Sequence, residues 1–306
     1  MIVDLPETTT GEVARRLVHL REEGGAVALG RVLTLVIDAD AADVEDAVAV
    51  TNDVSREHPM RVIVLARDAA TGAGPRVDAQ IRVGGDAGAS EVVLLRASGE
   101  MLEHADTLVV PLLLPDAPIV VWWPREIPAR PAAHPIGQMA QRRITDSLAC
   151  SDPIGTLERL RDGYTDGDTD LAWTRLTVWR GLLAAAFDLP PYEPVTAARI
   201  TGDASHPSLH LLGAWLALSL DCPVEVVGAP DAVGITQVRL ERPSGPLEID
   251  RPDGRRATLR HPGQPVRHLA MPLRELRECL SEDLRRMDAD EVYGEVLRDG
   301  LARVLP

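Results

Sequence analysis

A short apolar segment between two prolines, Ile119-Val-Val-Trp-Trp123, constrains the fold of this chain more than any other feature. Pro118 and Pro124 stop a strand from extending in either direction, so the segment predicts one short strand. Adjacent strand residues point to opposite faces, so Trp122 and Trp123 cannot enter the same core. Either both rings pack under covering layers, as in a buried parallel sheet, or one ring is buried and the other faces a partner.

The composition favours a soluble globular protein with room for two domains. The chain has 306 residues, of which 45% are hydrophobic and 26% are charged. It contains no apolar run of the roughly 18–20 residues that a membrane span needs, and its start does not resemble a signal peptide. We therefore expect a cytoplasmic protein. A formal net charge of −15 argues against a non-specific nucleic-acid surface.

The basic residues exclude two classes of enzyme. All 32 Lys+Arg positions are arginine. A P-loop NTPase needs the lysine of its Walker A motif, and Schiff-base chemistry needs a lysine amine, so neither is compatible with this chain. Arginine is well suited to bidentate pairing with carboxylates and phosphates, which leaves anion recognition and ion-paired interfaces open.

The order of the predicted elements indicates an α/β fold with two domains. Helical and strand-like segments alternate through the first half, which predicts a largely parallel sheet flanked by helices. The second half is predicted to be α/β as well, with closing helices and a short antiparallel meander formed by 235–240, 247–250 and 257–260. The predicted domains are 1–150 and 169–306, joined by an acidic, glycine-containing linker at 151–168.

Two arginine-rich segments are the best candidates for recognition. Arg142 and Arg143 lie in a predicted helix over 137–147, where two guanidinium groups beside hydroxyls suit a phosphate or an acidic partner surface. Arg175 and Arg180 lie close to tryptophans in a predicted helix over 171–187, a composition typical of interface hot spots. With Trp122 and Trp123, these four arginines are the predicted partner-binding residues. The alternatives are helix-surface ion pairs and an amphipathic core helix.

Other motifs give little support for catalysis, so no catalytic residue, metal or cofactor is predicted. The glycine-rich turn over 84–88 is followed by a strand-like segment, whereas a dinucleotide fingerprint leads into a helix. His206 and His210 have the spacing of a metal pair but no evident third ligand, and surface histidines near a helix N-terminus are the preferred interpretation. Cys150, Cys222 and Cys279 are expected to be small buried hydrophobic residues.

Several of these segments together resemble one protein family. They are Met1-Ile-Val-Asp-Leu-Pro, Gly30-Arg-Val-Leu-Thr-Leu, Glu57-His-Pro with Arg61-Val-Ile-Val, Asp78-Ala-Gln-Ile-Arg-Val-Gly-Gly-Asp-Ala-Gly-Ala-Ser-Glu91, the 111–124 segment, Gln141-Arg-Arg-Ile-Thr-Asp-Ser147 and Asp170-Leu-Ala-Trp-Thr-Arg175. The chain is similar here to the glucose-6-phosphate dehydrogenase assembly protein (OpcA) family of actinobacteria and cyanobacteria. The resemblance covers most of the first half and thins after about residue 190.

The resemblance implies an accessory protein that is not itself an enzyme. Its expected partner is glucose-6-phosphate dehydrogenase, whose assembly or allosteric activation it would promote in the oxidative pentose phosphate pathway. The alternative from the residues alone is a sugar-phosphate-binding enzyme or sensor, with Arg142 and Arg143 clamping the phosphate.

Overall fold

The predicted α/β fold class is confirmed. The structure, a computed structural model, describes residues 1–23, 32–67, 76–84, 91–98, 101 and 104–305. Most of the glycine-rich 84–88 turn lies outside these residues. The described part contains one sheet of eight strands, which is mainly parallel, and one of six strands. Within the same part, no helix is both long enough and apolar enough to cross a membrane.

The strands are numbered in chain order. They are β1 (Ile2–Leu5), β2 (Leu33–Asp40), β3 (Met60–Arg67), β4 (Arg76–Val83), β5 (Glu91–Ser98), β6 (Ile119–Trp123), β7 (Arg142–Thr145), β8 (Asp168–Asp170), β9 (Ala197–Gly202), β10 (Val224–Gly228), β11 (Ile235–Glu241), β12 (Leu247–Asp250), β13 (Arg256–Arg260) and β14 (Arg267–Ala270).

The α-helices are numbered in the same way. They are α1 (Thr10–Glu23), α2 (Val44–Val54), α3 (Ala105–Val109), α4 (Pro153–Gly163), α5 (Leu171–Thr174), α6 (Thr177–Phe187), α7 (Pro207–Leu220), α8 (Leu276–Asp283) and α9 (Glu291–Glu295).

The chain divides into two compact units, and each unit is built from several segments. The first unit contains Met1–Asp146, Gly167–Thr169 and Leu276–Ala289. The second contains Ser147–Asp166, Asp170–Glu275 and Asp290–Pro306. That the segment 151–168 links two independently folding domains stays a prediction. It did not anticipate that Leu276–Ala289 joins the first unit, since the contacts responsible are more than 100 residues apart in sequence.

The large sheet of the first unit is doubly wound. Its order is β1-β4-β5-β3-β2-β6-β7-β8, and β5, β3, β2, β6 and β7 are mutually parallel. The chain fills one side of β2 first and then returns to add β6 and β7 on the other side. The strand order therefore reverses between β2 and β6, and the carboxyl ends of these strands form the edge at which ligands commonly bind in such sheets.

The strand predicted between the prolines is confirmed, with the same bounds as β6. It pairs in parallel with β2 on one side and with β7 on the other, so it is an interior strand. Trp122 and Trp123 are both 0% exposed. Of the two alternatives for this pair, the structure has both rings under covering layers.

The predicted helix over 137–147 is wrong at its C-terminal half. Arg142 to Thr145 form strand β7, which pairs with β6 in parallel. Residues 137–139 form only a 3₁₀ turn. The arginines suggested a solvated helix face, but all four residues of β7 are buried. Buried ion pairs, which a local pattern does not show, make these charged positions compatible with an interior strand.

The predicted antiparallel meander of the second unit is confirmed. Strands β11, β12, β13 and β14 pair antiparallel in sequence order, and β9 and β10 complete the sheet as a parallel pair. Helix α7 packs against β9 and β10. Gly213 permits this approach, because a Cβ there would lie 2.9 Å from Cγ2 of Val226. The helix predicted over 171–187 is broken into α5 and α6.

Candidate functional site

Arg142 and Arg143 are ion-paired inside the first unit. Nη2 of Arg142 lies 2.9 Å from Oδ1 of Asp283, and its Nη1 donates to the Asp288 carbonyl at 2.8 Å. Nε of Arg143 donates to Asp168. The two arginines are only 2% and 6% exposed. Their charges are therefore matched by carboxylates of the same unit, and in this structure neither can clamp a phosphate.

Trp123 has a structural role at the carboxyl edge of the doubly wound sheet. Its Nε1 donates a 3.1 Å hydrogen bond to Oδ2 of Asp38, the buried carboxylate near the end of β2. Nε of Arg67 lies 3.4 Å from the same carboxylate, and Nε2 of His134 lies 4.0 Å from it. The indole thus helps to hold Asp38 in place. As partner-binding residues, Trp122, Trp123, Arg142 and Arg143 stay a prediction, because this conformation buries all four.

Burial also sets the protonation behaviour of this cluster. It raises the pKa of the Asp38 carboxyl, while Arg67, His134 and the Trp123 hydrogen bond act in the opposite direction. Burial lowers the pKa of the His134 imidazole, and the charge of Asp38 partly offsets that effect. The Asp38 carboxyl is therefore a weaker acid than an exposed aspartate, and the neighbouring His134 imidazole is harder to protonate than an exposed histidine.

A cavity in the second unit is the clearest candidate for ligand binding. Its volume is about 450 Å³, which is within the range for small-molecule sites. Arginines from three separate segments contribute to its wall, and the remaining lining includes a histidine, an aspartate, a serine and apolar residues. The residues on which the following description depends are Arg175, Trp179, Asp203, His206, Arg251 and Arg274.

The three arginines are held by different parts of the fold. Arg175 follows α5 directly, at the break before α6. Arg251 follows β12, and its Nε and Nη2 donate to the Ile235 carbonyl at 3.3 and 2.9 Å. Nη1 of Arg274 donates to the Thr174 carbonyl at 2.7 Å. Backbone anchors thus fix two of the guanidinium groups, and the Arg251 guanidinium also lies 5.0 Å from the Trp179 ring centroid.

This environment shifts the pKa values of two titratable residues of the wall. Burial, together with Arg175 and Arg251, lowers the pKa of His206 to about 4, so the imidazole is neutral at neutral pH. Burial acts to raise the pKa of Asp203, but hydrogen bonds from Ser205 lower it overall. Those bonds run from the Ser205 amide at 2.9 Å and from its hydroxyl at 2.7 Å to Oδ1. The hydrogen bonds from Ser205 therefore already stabilise part of the negative charge of Asp203.

The surface-histidine interpretation holds for neither residue in full. His206 caps α7, because its Nδ1 accepts a hydrogen bond from the Ser208 amide, but it is half-buried in the cavity wall. His210 is buried, and its Nε2 lies 2.8 Å from the Ala204 carbonyl oxygen. The described residues contain no group of three or more His, Cys, Asp or Glu side chains arranged to hold a metal ion.

The cysteine prediction is correct only for Cys279, which is buried. Cys150 and Cys222 are half-buried. Burial and the neighbouring Asp221 raise the pKa of the Cys222 thiol. A raised pKa disfavours the reactive thiolate form of Cys222.

His206 should make the stability of the protein pH-dependent. Its folded pKa of about 4 lies below the unfolded value of about 6.5, so the unfolded chain binds a proton first as pH falls. The contribution of His206 to stability is constant well above pH 6.5 and falls by up to about 1.4 kcal/mol per pH unit between 6.5 and 4. We expect H206N to lack this part of the pH dependence of stability, because asparagine does not titrate. Asparagine also retains an N-capping side chain for α7.

Urea denaturation of the wild type and H206N at several pH values measures this effect. The difference in unfolding free energy between the two proteins should shift against the wild type as pH falls from 6.5 towards 4. A difference that stays constant over this interval would contradict the assigned pKa.

Arg175 and Arg180 are the two predicted partner-binding residues that keep exposed surface. Both are half-buried in the second unit. The Arg180 guanidinium lies 3.8 Å from the ring centroid of Trp173, which is buried as the core alternative predicted. Nε1 of Trp173 donates to Asp290 at 2.8 Å. Arg175 instead lines the cavity. Arg251 and Arg274, which line the same cavity, were not among the candidate residues predicted from the sequence.

The fold and the site define a class: a two-unit α/β protein with internally paired arginines and an arginine-lined cavity in its second unit. The N-terminal domain model of the glucose-6-phosphate dehydrogenase subunit OpcA matches residues 51–162, and the C-terminal domain model matches residues 166–297. The chain belongs to this OpcA family.

Two cyanobacterial relatives, both named OxPP cycle protein OpcA, match over 108 residues. The protein of Synechococcus elongatus is 39% identical, and the match covers 33% of this chain and 23% of the relative. That of Synechocystis is 32% identical and covers 33% and 22%, respectively. The matched part of this chain therefore spans less than a quarter of either relative. An oxidoreductase from Sinorhizobium meliloti is 11% identical over 87% of this chain and 86% of its own, with a TM-score of 0.44, which is too low to indicate a shared fold or activity.

Proposed function

We propose that this chain binds glucose-6-phosphate dehydrogenase and promotes its assembly or allosteric activation in the oxidative pentose phosphate pathway. The observation that carries the proposal is the match of both halves of the chain to the two domains of a family described as a glucose-6-phosphate dehydrogenase subunit. The relatives named for the OxPP cycle support the same pathway. The proposed role is that of an accessory protein rather than an enzyme.

Activation by an accessory protein requires differential binding. A partner shifts an equilibrium between two states of the dehydrogenase only if it binds one of them more tightly. Moving that equilibrium from 1:99 to 99:1 requires a preference of about 10⁴-fold. The proposal therefore implies that the chain binds the active oligomer of the dehydrogenase in preference to its dissociated or inactive form.

The surface of α6 is the proposed contact region within the second unit. Val178 is an exposed apolar residue on this helix, and Arg180 is half-buried against Trp173. An arginine braced on an aromatic ring loses little conformational freedom on binding, and arginine is enriched among interface hot spots. Arg180 is thus the best supported of the six predicted partner-binding residues.

The test combines the chain with the dehydrogenase of the same organism. Dehydrogenase activity and oligomer mass, measured by light scattering after size exclusion, should both increase when the chain is added. R180E should weaken complex formation about tenfold or more, as truncation of a hot-spot residue does.

R199E is the matched control, because Arg199 is an exposed arginine of the same unit that lies on β9. It should bind like the wild type. Melting curves of both variants verify that the fold is retained. Absence of binding and of any kinetic change with the wild-type chain would refute the proposed function, whereas equal binding by R180E would refute only the contact region.

A further inference from the structure

We propose that the arginine-lined cavity of the second unit binds the phosphate group of a small phosphorylated metabolite. The cavity lies within one unit, and all the residues that line it belong to that unit. The site is separate from the predicted clamp at Arg142 and Arg143, whose guanidinium groups are ion-paired elsewhere.

Arg251 is the central observation. It is 4% exposed, it lines the cavity, and no carboxylate among the described residues forms an ion pair with it. Burial lowers the pKa of its guanidinium, and Asp253 offsets this only in part. Buried charges in proteins are normally paired, because an uncompensated charge in a low-dielectric interior is costly. The Ile235 carbonyl accepts two hydrogen bonds from this guanidinium but supplies no full negative charge, so a buried cation at the wall of a cavity favours an anionic ligand.

The geometry around Arg251 favours an anion in the same place. Arg175 and Arg274 line the same cavity, and the N-terminus of α7 begins beside it at His206. The positive end of a 14-residue helix adds a favourable partial charge. His206 is neutral at neutral pH, so it needs no counter-ion of its own. Among the described residues of the wall, Asp203 is the one carboxylate, and its Oδ1 accepts two hydrogen bonds from Ser205.

The number of arginines favours a phosphate over a carboxylate. A phosphate monoester carries a charge of about −1.5 to −2 at pH 7 and three strong acceptor oxygens. Each guanidinium presents donors in a planar fork that matches such oxygens, so three arginines can share one phosphate group. A single carboxylate has one charge and two oxygens, so it offers less negative charge and fewer acceptors to a guanidinium than a phosphate does.

The size and the apolar wall indicate an organic phosphate rather than the bare ion. A volume of about 450 Å³ leaves room for a body of metabolite size beside the charged group. Leu148, Leu176 and the Trp179 ring supply an apolar surface along this space. Val233 and Leu273 line the cavity and are 62% and 42% exposed, so they mark its opening to solvent.

The test uses the isolated chain, so it is independent of the dehydrogenase and of the proposed function. Glucose 6-phosphate, inorganic phosphate, gluconate and glucose are compared by thermal shift and by titration calorimetry. A ligand that binds the native state raises the melting midpoint. Glucose 6-phosphate should raise it and bind more tightly than inorganic phosphate, whereas gluconate should bind more weakly and glucose should have no effect.

Variants locate the site. R175Q and R251Q should weaken binding of glucose 6-phosphate about tenfold or more, because each removes a hydrogen-bonding cation. R199Q removes an exposed arginine outside the cavity and should leave binding unchanged. Since R251Q removes a buried group and its folding is at risk, V233W provides a second approach. It changes an exposed residue at the opening, and it should reduce binding by obstructing entry.

Several outcomes would overturn the inference. The first is that neither glucose 6-phosphate nor inorganic phosphate raises the melting midpoint or binds. The second is that R199Q weakens the binding of glucose 6-phosphate as much as R175Q does. The third is that both V233W and R175Q bind it like the wild type. Gluconate binding as tightly as glucose 6-phosphate would overturn the phosphate assignment. Inorganic phosphate binding as tightly as glucose 6-phosphate would overturn the assignment of a metabolite.

Discussion

Replacing Glu91 with glutamine is expected to lower the free energy of unfolding by about 3–5 kcal/mol. Glu91 is 1% exposed at the start of β5 and accepts from Nε of Arg61 at 2.7 Å and from Nη2 of Arg21 at 2.8 Å. Arg61 is itself 5% exposed. The glutamine keeps the shape of the side chain but removes the negative charge, so the buried Arg61 guanidinium loses its compensating partner.

Urea denaturation followed by circular dichroism measures this loss. E57Q is the matched control, because Glu57 also pairs with an arginine, Arg285, at 2.7 Å, but both side chains are largely exposed. Solvent screens such a pair, so E57Q should have a much smaller effect. Equal losses in the two variants would show that burial does not determine the contribution of the Glu91 ion pair.

Replacing Trp123 with alanine is expected to destabilise the protein by a similar amount, about 3–5 kcal/mol. The indole is 0% exposed and belongs to the apolar core on one side of the large sheet. Its removal leaves a cavity among close-packed neighbours and takes away the Nε1 donor of Asp38. Chemical denaturation measures the effect.

Phenylalanine substitutions at the two tryptophans separate packing from hydrogen bonding. Trp122 is equally buried, but its Nε1 has no hydrogen-bond partner among the described residues. W123F removes a hydrogen bond to a carboxylate and should therefore destabilise by about 1.5–3 kcal/mol more than W122F does. Equal effects of the two substitutions would mean that the Trp123–Asp38 hydrogen bond contributes no net stability.

Local patterns were enough to predict most of the strands. Segments such as β3 and β6 are apolar, rich in β-branched residues and bounded by turn-forming residues, so their type follows from their own sequence. The meander of the second unit was predictable for the same reason, since glycine- and proline-containing turns separate its strands. The 137–147 segment failed because the partners of Arg142 and Arg143 lie 141 and 25 residues away.

The candidate cavity could not have been predicted from spacing. Arg175, His206, Arg251 and Arg274 lie on four segments, and no two of them form a recognised motif. The absence of lysine showed only that any permanently cationic side chain at an anion site must be an arginine. Which arginines face a carboxylate and which face a cavity depends on the tertiary fold, so Arg142 and Arg251 are indistinguishable in sequence.

The assignment of Leu276–Ala289 to the first unit has a consequence for how these units can be inherited and engineered. The chain passes from one unit to the other five times, and Asp283 of the last returning segment is the counter-ion of Arg142. A gene fragment that ends near residue 150 would encode β7 without the carboxylate that neutralises its buried arginine. Neither unit can therefore be exchanged between proteins as one continuous stretch of coding sequence, and recombination within the family is expected to preserve the two together.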